Sequence, residues 1–311
     1  MTTSRPDGPL TSAQSSTARS PLSGYVLALG HRPQPWRALV AAGGGIVILL
    51  LLVATAVPVG IAVDRVIGVT PFDPANPSLT TGVWAVGNLF IALLVPVSTV
   101  LHAIIDGAAP GTLSSVAGRF RWVVLARAAV VVVPVWIVFT VLVQPALGTG
   151  SPRWTGLNLV LCVVAVITIP LQSAGEEYLF RGLLLRAVGA LFARPVVAFV
   201  VATLTTALGF GLVHGASDPW AVAYYIVMGI SFAVLAERTG GLEIPVLVHA
   251  ANNTLLLVPV IMAGQLSTVS TPTGPVVLVP VVVMAVTTFV LWRSTPWLTR
   301  STGSAVLTPA G

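Results

Sequence analysis

Eight apolar runs, each about as long as a helix needs to cross a bilayer, decide what this chain can fold into. A helix rises 1.5 Å per residue, so about 20 consecutive apolar residues span the hydrocarbon core. The runs lie near residues 38–62, 83–105, 123–145, 156–176, 196–214, 220–236, 244–262 and 275–292. Loops rich in turn-forming residues separate them, among them "DRVIGVTPFDPANPS", "LGTGSPRWTG" and "STVSTPTGP". Composition agrees: 56% of the residues are hydrophobic, 8% are charged and the mean hydropathy is +0.97. A soluble domain carries about 25% charged residues, so this chain has too few for a soluble surface. The expectation is an all-α, polytopic membrane helix bundle of about eight transmembrane helices.

Arginine placement gives an orientation. All 15 basic residues are arginine, against nine acids, for a net charge of +6. Arg32, Arg37, Arg119, Arg121, Arg181, Arg186, Arg194, Arg238 and Arg293 fall in the tail and on one set of loops, and only Arg65 and Arg153 on the other. The positive-inside rule puts both termini in the cytoplasm, and it explains the basic balance without nucleic acid. Arg127, inside the third run, is expected to snorkel toward Arg121. The absence of lysine points to a GC-rich bacterial genome and so to a bacterial cell membrane. The single cysteine, Cys162, excludes an intrachain disulfide and reads as a small buried hydrophobe.

The chain divides into a disordered tail over 1–36, three spans over 37–150, a polar-bearing core over 151–262, a last span over 263–293 and a flexible end over 294–311. The tail is rich in Ser, Thr and Pro with almost nothing to bury. The first run starts too late and runs too long for a cleaved signal peptide, so a retained helix is expected. Trp36, Trp122 and Trp297 beside arginines read as interfacial anchors.

Ionisable groups inside the runs are few: His102, Asp106, Arg127, Glu176, Glu177, His214 and His249. An ionised side chain in hydrocarbon costs at least about 2.5 to 3.5 kcal/mol on insertion scales, so each asks for a role. Glu177 and Arg181 are four apart on one helical face, with the acid first, the favourable order for an ion pair. Glu176 points elsewhere without a local partner, the situation of a carboxylate suited to taking a proton from water and returning it. His214 ends "FGLVH", one turn after Phe210. His249 opens "HAANN", which puts Asn253 on its face, and two such donors suit an oxyanion. The bland alternatives are helix-end charges, an interfacial histidine and interhelical hydrogen bonding. Zinc held by Glu176, His214 and His249 is a further alternative, disfavoured because no single helix presents two histidines.

Together these segments resemble a known family. "GEEYLFRGLLLR" is similar to the Glu-Glu-x-x-x-Arg signature of the CAAX-protease and bacteriocin-processing (CPBP) family of intramembrane endopeptidases, the type II CAAX prenyl endopeptidases among them. "FGLVH" resembles its Phe-x-x-x-His motif, and "ERTGGLEIPVLVHAANN" its His-x-x-x-Asn motif and the approach to it. The likeness covers roughly residues 150–262. It implies a peptidase in which Glu176 activates water, His214 orients it, and His249 and Asn253 stabilise the oxyanion. Glu177 and Arg181 would support the helix. On the residues themselves, water activated by a glutamate without metal is favoured over zinc.

The expected activity is hydrolysis of a peptide bond near the cytoplasmic side of the membrane. The expected neighbours are lipid, a protein or peptide substrate with or without a lipid group, and at most a second copy of the chain. Two other classes stand beside it: a non-catalytic scaffold or immunity-type protein, and a proton-coupled transporter. The lack of matching broken helices in the two halves counts against an inverted-repeat transporter. Depth poses a difficulty. With straight crossings His214 would sit near the outer face and Glu176, His249 and Asn253 nearer the cytoplasm, so "VHGASDPW" is expected to fold back into the membrane around a cavity.

Overall fold

The computed structural model describes residues 24–28, 34–70, 72–73, 75, 78–143, 145, 148–268 and 274–300. Of the expected disordered tail, residues 1–23 and 29–33 lie outside the described residues, as do 301–311 of the expected flexible end. Among the described residues, eight helical stretches are long and apolar enough to cross a membrane: Pro35–Val66, Thr81–Asp106, Trp122–Val143, Gly156–Gly189, Pro195–Val213, Pro219–Thr239, Glu243–Met262 and Pro275–Leu298. They make an all-helical, multi-pass membrane bundle.

Within these crossings the α-helices are α1 (Pro35–Val66), α2 (Thr81–Ala92), α3 (Leu94–Asp106), α4 (Trp122–Val138) and α5 (Gly156–Glu177). They continue as α6 (Leu185–Gly189), α7 (Pro195–Val213), α8 (Pro219–Thr239), α9 (Glu243–Met262) and α10 (Leu278–Leu298). The second crossing is broken at Leu93 because Pro96 offers no N–H and its ring clashes with the carbonyl four residues back, at Ala92. A π-helical segment, Tyr178–Leu184, joins α5 to α6, so the fourth crossing does not stop at the glutamates but runs 34 residues. That corrects the expected end at 176: the charges of Glu176, Glu177, Arg181 and Arg186 are all buried, so nothing there compels the helix to leave the bundle.

Alternation of the crossings puts Arg37, Arg119, Arg121, Arg186, Arg194, Arg238, Arg293 and Arg300 at one end of the bundle, and Arg65 and Arg153 at the other. Arg127 leans toward the arginine-rich end, where its guanidinium donates to the carbonyls of Trp297, Leu298 and Arg300 at 3.2, 3.3 and 2.7 Å. Large apolar side chains such as Leu39, Ile104, Val130 and Leu212 point outward. In a bilayer these meet acyl chains, so their exposure needs no protein partner.

The arginine-rich end carries a lid of packed chain. The turn between α8 and α9 is buried, and the segment after α3 lies across it. Val116 N–H donates to the Gly240 carbonyl and Leu242 N–H to the Ser114 carbonyl, both at 2.9 Å. Arg121 forms a two-pronged pair with Glu243, at 2.9 and 2.7 Å. A Cβ at Gly241 would lie 2.4 Å from the Glu243 carboxylate and 2.5 Å from the Arg121 guanidinium, so this crossing requires glycine. Residues 24–28 are docked here as well, a contact for which the Ser- and Pro-rich composition around them offers no sign. The Glu237 carboxylate accepts from the backbone N–H groups of Gly24, Tyr25 and Val26 at 2.8, 3.0 and 2.8 Å. Tyr25 is fully buried, its hydroxyl donates to the Leu113 carbonyl, and the Arg186 guanidinium lies 4.8 Å over its ring. Burial pushes its phenol well above the usual tyrosine range.

Candidate active site

The fourth crossing supplies both acids, and the break to π geometry just after them sets the direction in which Arg181 points. A π turn adds a residue to the helical period, and such segments recur at functional sites. Gly175 brings this stretch against α2: a Cβ there would sit 2.1 Å from the Ile91 carbonyl oxygen.

Glu177 is fully buried and has two cationic or ionisable partners. Arg181 Nη1 donates to its Oε1 at 2.9 Å, and His249 Nδ1 meets the same oxygen at 2.8 Å. Arg181 is itself fully buried and lies over three rings, Phe210 at 4.4 Å, Phe232 at 5.1 Å and Phe180 at 5.8 Å. Ring faces and one carboxylate thus replace the water a guanidinium would otherwise keep. Phe210, the first residue of the "FGLVH" segment, therefore serves the arginine as well as His214, to which its carbonyl is bonded at Nδ1, 2.6 Å away.

His249 links the two acids. Its Nδ1 is held by Glu177 and its Nε2 lies 3.5 Å from Glu176 Oε2. The ring stacks on Phe232 at 5.1 Å and meets Phe210 edge-on at 5.9 Å, so its plane is fixed. Glu176 Oε1 accepts from Gln172 Nε2, one turn earlier on α5, while its Oε2 is shut from solvent without a hydrogen-bond donor. Gln172 is a site residue that the motifs do not include. A signal for it exists in the sequence: an amide four residues before a glutamate, inside an apolar run.

A cavity of about 620 Å³ adjoins this cluster. Gln172, His214, His249, Asn252 and Asn253 form its polar wall, and Trp84, Phe139, Ile169, Met228, Leu256 and Leu257 are among its apolar lining. Glu176 stands just behind that wall, touching Gln172 and His249. Asn253 accepts from Asn252 at 2.9 Å, and Tyr224 donates to Asn252 at 2.8 Å. Tyr225 stacks on His214 with ring centres 4.1 Å apart. Asn252, Tyr224 and Tyr225 are further residues missed from sequence, since only the packing of α8 on α9 and α7 brings them to the cavity.

The six expected positions, Glu176, Glu177, Arg181, His214, His249 and Asn253, are thus gathered at one place, but not by the expected route. Residues 214–218 form a short turn between α7 and α8, not a segment folded back into the membrane. Depth is matched instead by α5, which continues past the acids, and by α9, whose start is recessed under the lid. Among the described residues no three His, Cys, Asp or Glu side chains are grouped to hold a metal ion.

Comparison with known proteins bears on this segment. Residues 155–255 match the family model described as type II CAAX prenyl endopeptidase Rce1-like. The uncharacterized protein YyaK of Bacillus subtilis (strain 168) is 36% identical over 102 residues, which is 31% of this chain and 33% of that protein. The chain therefore spans about a third of the length of the curated relative it matches. No solved structure matches. Over residues 155–255, which hold all six polar side chains of the cluster, the chain is similar to the Rce1-like type II CAAX prenyl endopeptidases.

Proposed function

We propose that this protein is an endopeptidase of a bacterial cell membrane that hydrolyses a peptide bond inside the bilayer with a glutamate-activated water. The observation that carries the reading is the Glu177–His249–Glu176 arrangement beside a cavity with an amide-lined wall. In the reaction Glu176 takes a proton from water, and the resulting hydroxide oxygen bonds to the scissile carbonyl carbon. Asn253 and His249, through Nε2–H, donate to the oxyanion, and His214 orients the water. Collapse breaks the C–N bond, and Glu176 returns the proton to the leaving amine. Glu177 holds His249 at Nδ1, so the ring meets the reacting atoms through Nε2 alone. Arg181 compensates the buried charge of Glu177.

The test is cleavage of a quenched fluorescent peptide library, some members lipidated, by the purified chain in liposomes. Wild type is expected to cut a subset of peptides, and Glu176→Gln and His249→Ala to cut none while staying folded. A strong chelator is expected to leave the rate unchanged. Full activity in Glu176→Gln would favour the scaffold reading, in which an amide of the same shape serves as well. Loss of activity on chelation would restore the zinc alternative.

A further inference from the structure

Among the described residues, the candidate site is covered at one end of the bundle and its cavity reaches the connecting segments at the other. At the arginine-rich end the lid closes over it. Leu113, Tyr25, Tyr178 and Leu242 pack into one buried cluster, and the hydrogen bonds at Gly240, Leu242 and Glu237 tie that cluster down. At the arginine-poor end the lining of the cavity continues into the connecting segments: Leu79 before α2, Thr149 before α5 and Val276 before α10, with His214 at the end of α7. Among the described residues, no part of the lining comes from the segments that join helices at the arginine-rich end.

From this asymmetry we propose that the site takes its substrate from the extracytoplasmic side, opposite to the side expected from the sequence. Arginine accumulates on the cytoplasmic ends of membrane spans, so the lidded end is the cytoplasmic one and the cavity opens outward. The occupant is an extended peptide segment carrying an apolar side chain near the bond cut. Most of the lining is hydrocarbon and ring surface, which favours such a side chain, and Gln172, His249, Asn252 and Asn253 make a polar stretch of it, where a backbone carbonyl would be met. A strongly acidic or basic segment would leave its charges against those walls without partners. The nature of the substrate rests on the endopeptidase reading, whereas the side of entry does not.

The experiment is cysteine accessibility on the full chain in intact cells, with Cys162→Ala as background. Leu79→Cys and Val260→Cys place a thiol in the cavity, and Arg194→Cys places one at the lidded end. A charged, membrane-impermeant maleimide added outside is expected to label Leu79→Cys and Val260→Cys in intact cells, and Arg194→Cys only after permeabilisation. Labelling of Arg194→Cys in intact cells, or of Val260→Cys only after permeabilisation, overturns the proposed side. In the same cells a capped apolar pentapeptide is expected to slow labelling of Val260→Cys at least about tenfold, and an acidic one of equal length to leave it unchanged. Equal protection by both, or by neither, overturns the proposed substrate. Labelling requires no turnover, so a chain that cuts nothing would still report which side its cavity faces.

Discussion

At the scale of single residues, the site is held by charged side chains buried from solvent. Arg181 is confined between three phenyl rings and Glu177, and taking away one member of a buried pair strands the other. Arg181→Leu is expected to lower stability by about 3–5 kcal/mol, because Glu177 keeps a charge that only His249 then answers. Thermal unfolding in detergent would show this, and the double change Arg181→Leu with Glu177→Gln is expected to recover much of the loss. An unaltered melting temperature in the single variant would mean that water reaches Glu177. Gln172 acts through Glu176 and is a positioning residue. A hydrogen bond to a charged group contributes about 1.5–3 kcal/mol, so Gln172→Leu is expected to reduce kcat by about ten- to a hundredfold. KM should stay nearly constant, and Gln172→Glu should not rescue, since it brings a second acid to Glu176. Of these residues the acids, His214 and His249 were conspicuous in the sequence as ionisable groups in apolar runs, and Asn253 was drawn in only by its four-residue spacing from His249. Neutral amides and tyrosines are not, and Gln172, Asn252 and Tyr224 became site residues only when packing showed what they touch.

At the scale of elements, the fourth crossing carries the site because it neither ends nor stays α-helical at the acids. Residues Tyr178–Leu184 wind as a π-helix, all of them buried, and so bring Arg181 beneath α7 and α8 while Arg186 reaches the lid. Close approach to α2 fixes the height of this stretch. Gly175→Ala would drive a methyl into the Ile91 carbonyl, and overpacking of this kind costs about 1–3 kcal/mol. Because Glu176 is the next residue, activity is expected to fall further than stability does. Gly182→Ala is the control: its methyl would meet only side-chain carbons of Leu113 and Leu242, at 3.2 to 3.4 Å, which can yield. Equal melting temperatures for wild type and Gly175→Ala would show that α2 gives way. The crossings themselves were readable from apolar length, and all eight lie where the runs placed them. The continuation past Glu177 was not, because a helix that keeps four charges buried looks, in sequence, like a helix that has reached water.

At the scale of the whole molecule, the described residues close the arginine-rich end over the site, and the closure includes chain from outside the helices. Glu237 accepts three backbone N–H groups of residues 24–26, so Glu237→Ala is expected to release that segment. With about 1.5–3 kcal/mol for each bond to a charged acceptor, hydrogen exchange at Gly24, Tyr25 and Val26 should accelerate by about tenfold or more. Mass-spectrometric exchange would check it, and unchanged protection would mean that burial of Tyr25 alone holds the segment. The sequence by itself determined the class of fold, the number of crossings and which residues carry charge into the membrane, because the hydrocarbon core admits few solutions and each is written in local composition. Only the tertiary structure decided which of those residues meet and which end of the bundle is covered by packed chain. Those depend on how far each helix is displaced along its axis, and that displacement is set by contacts such as Gly175 on Ile91 and Gly241 against Ser115, distant in sequence and silent in hydropathy.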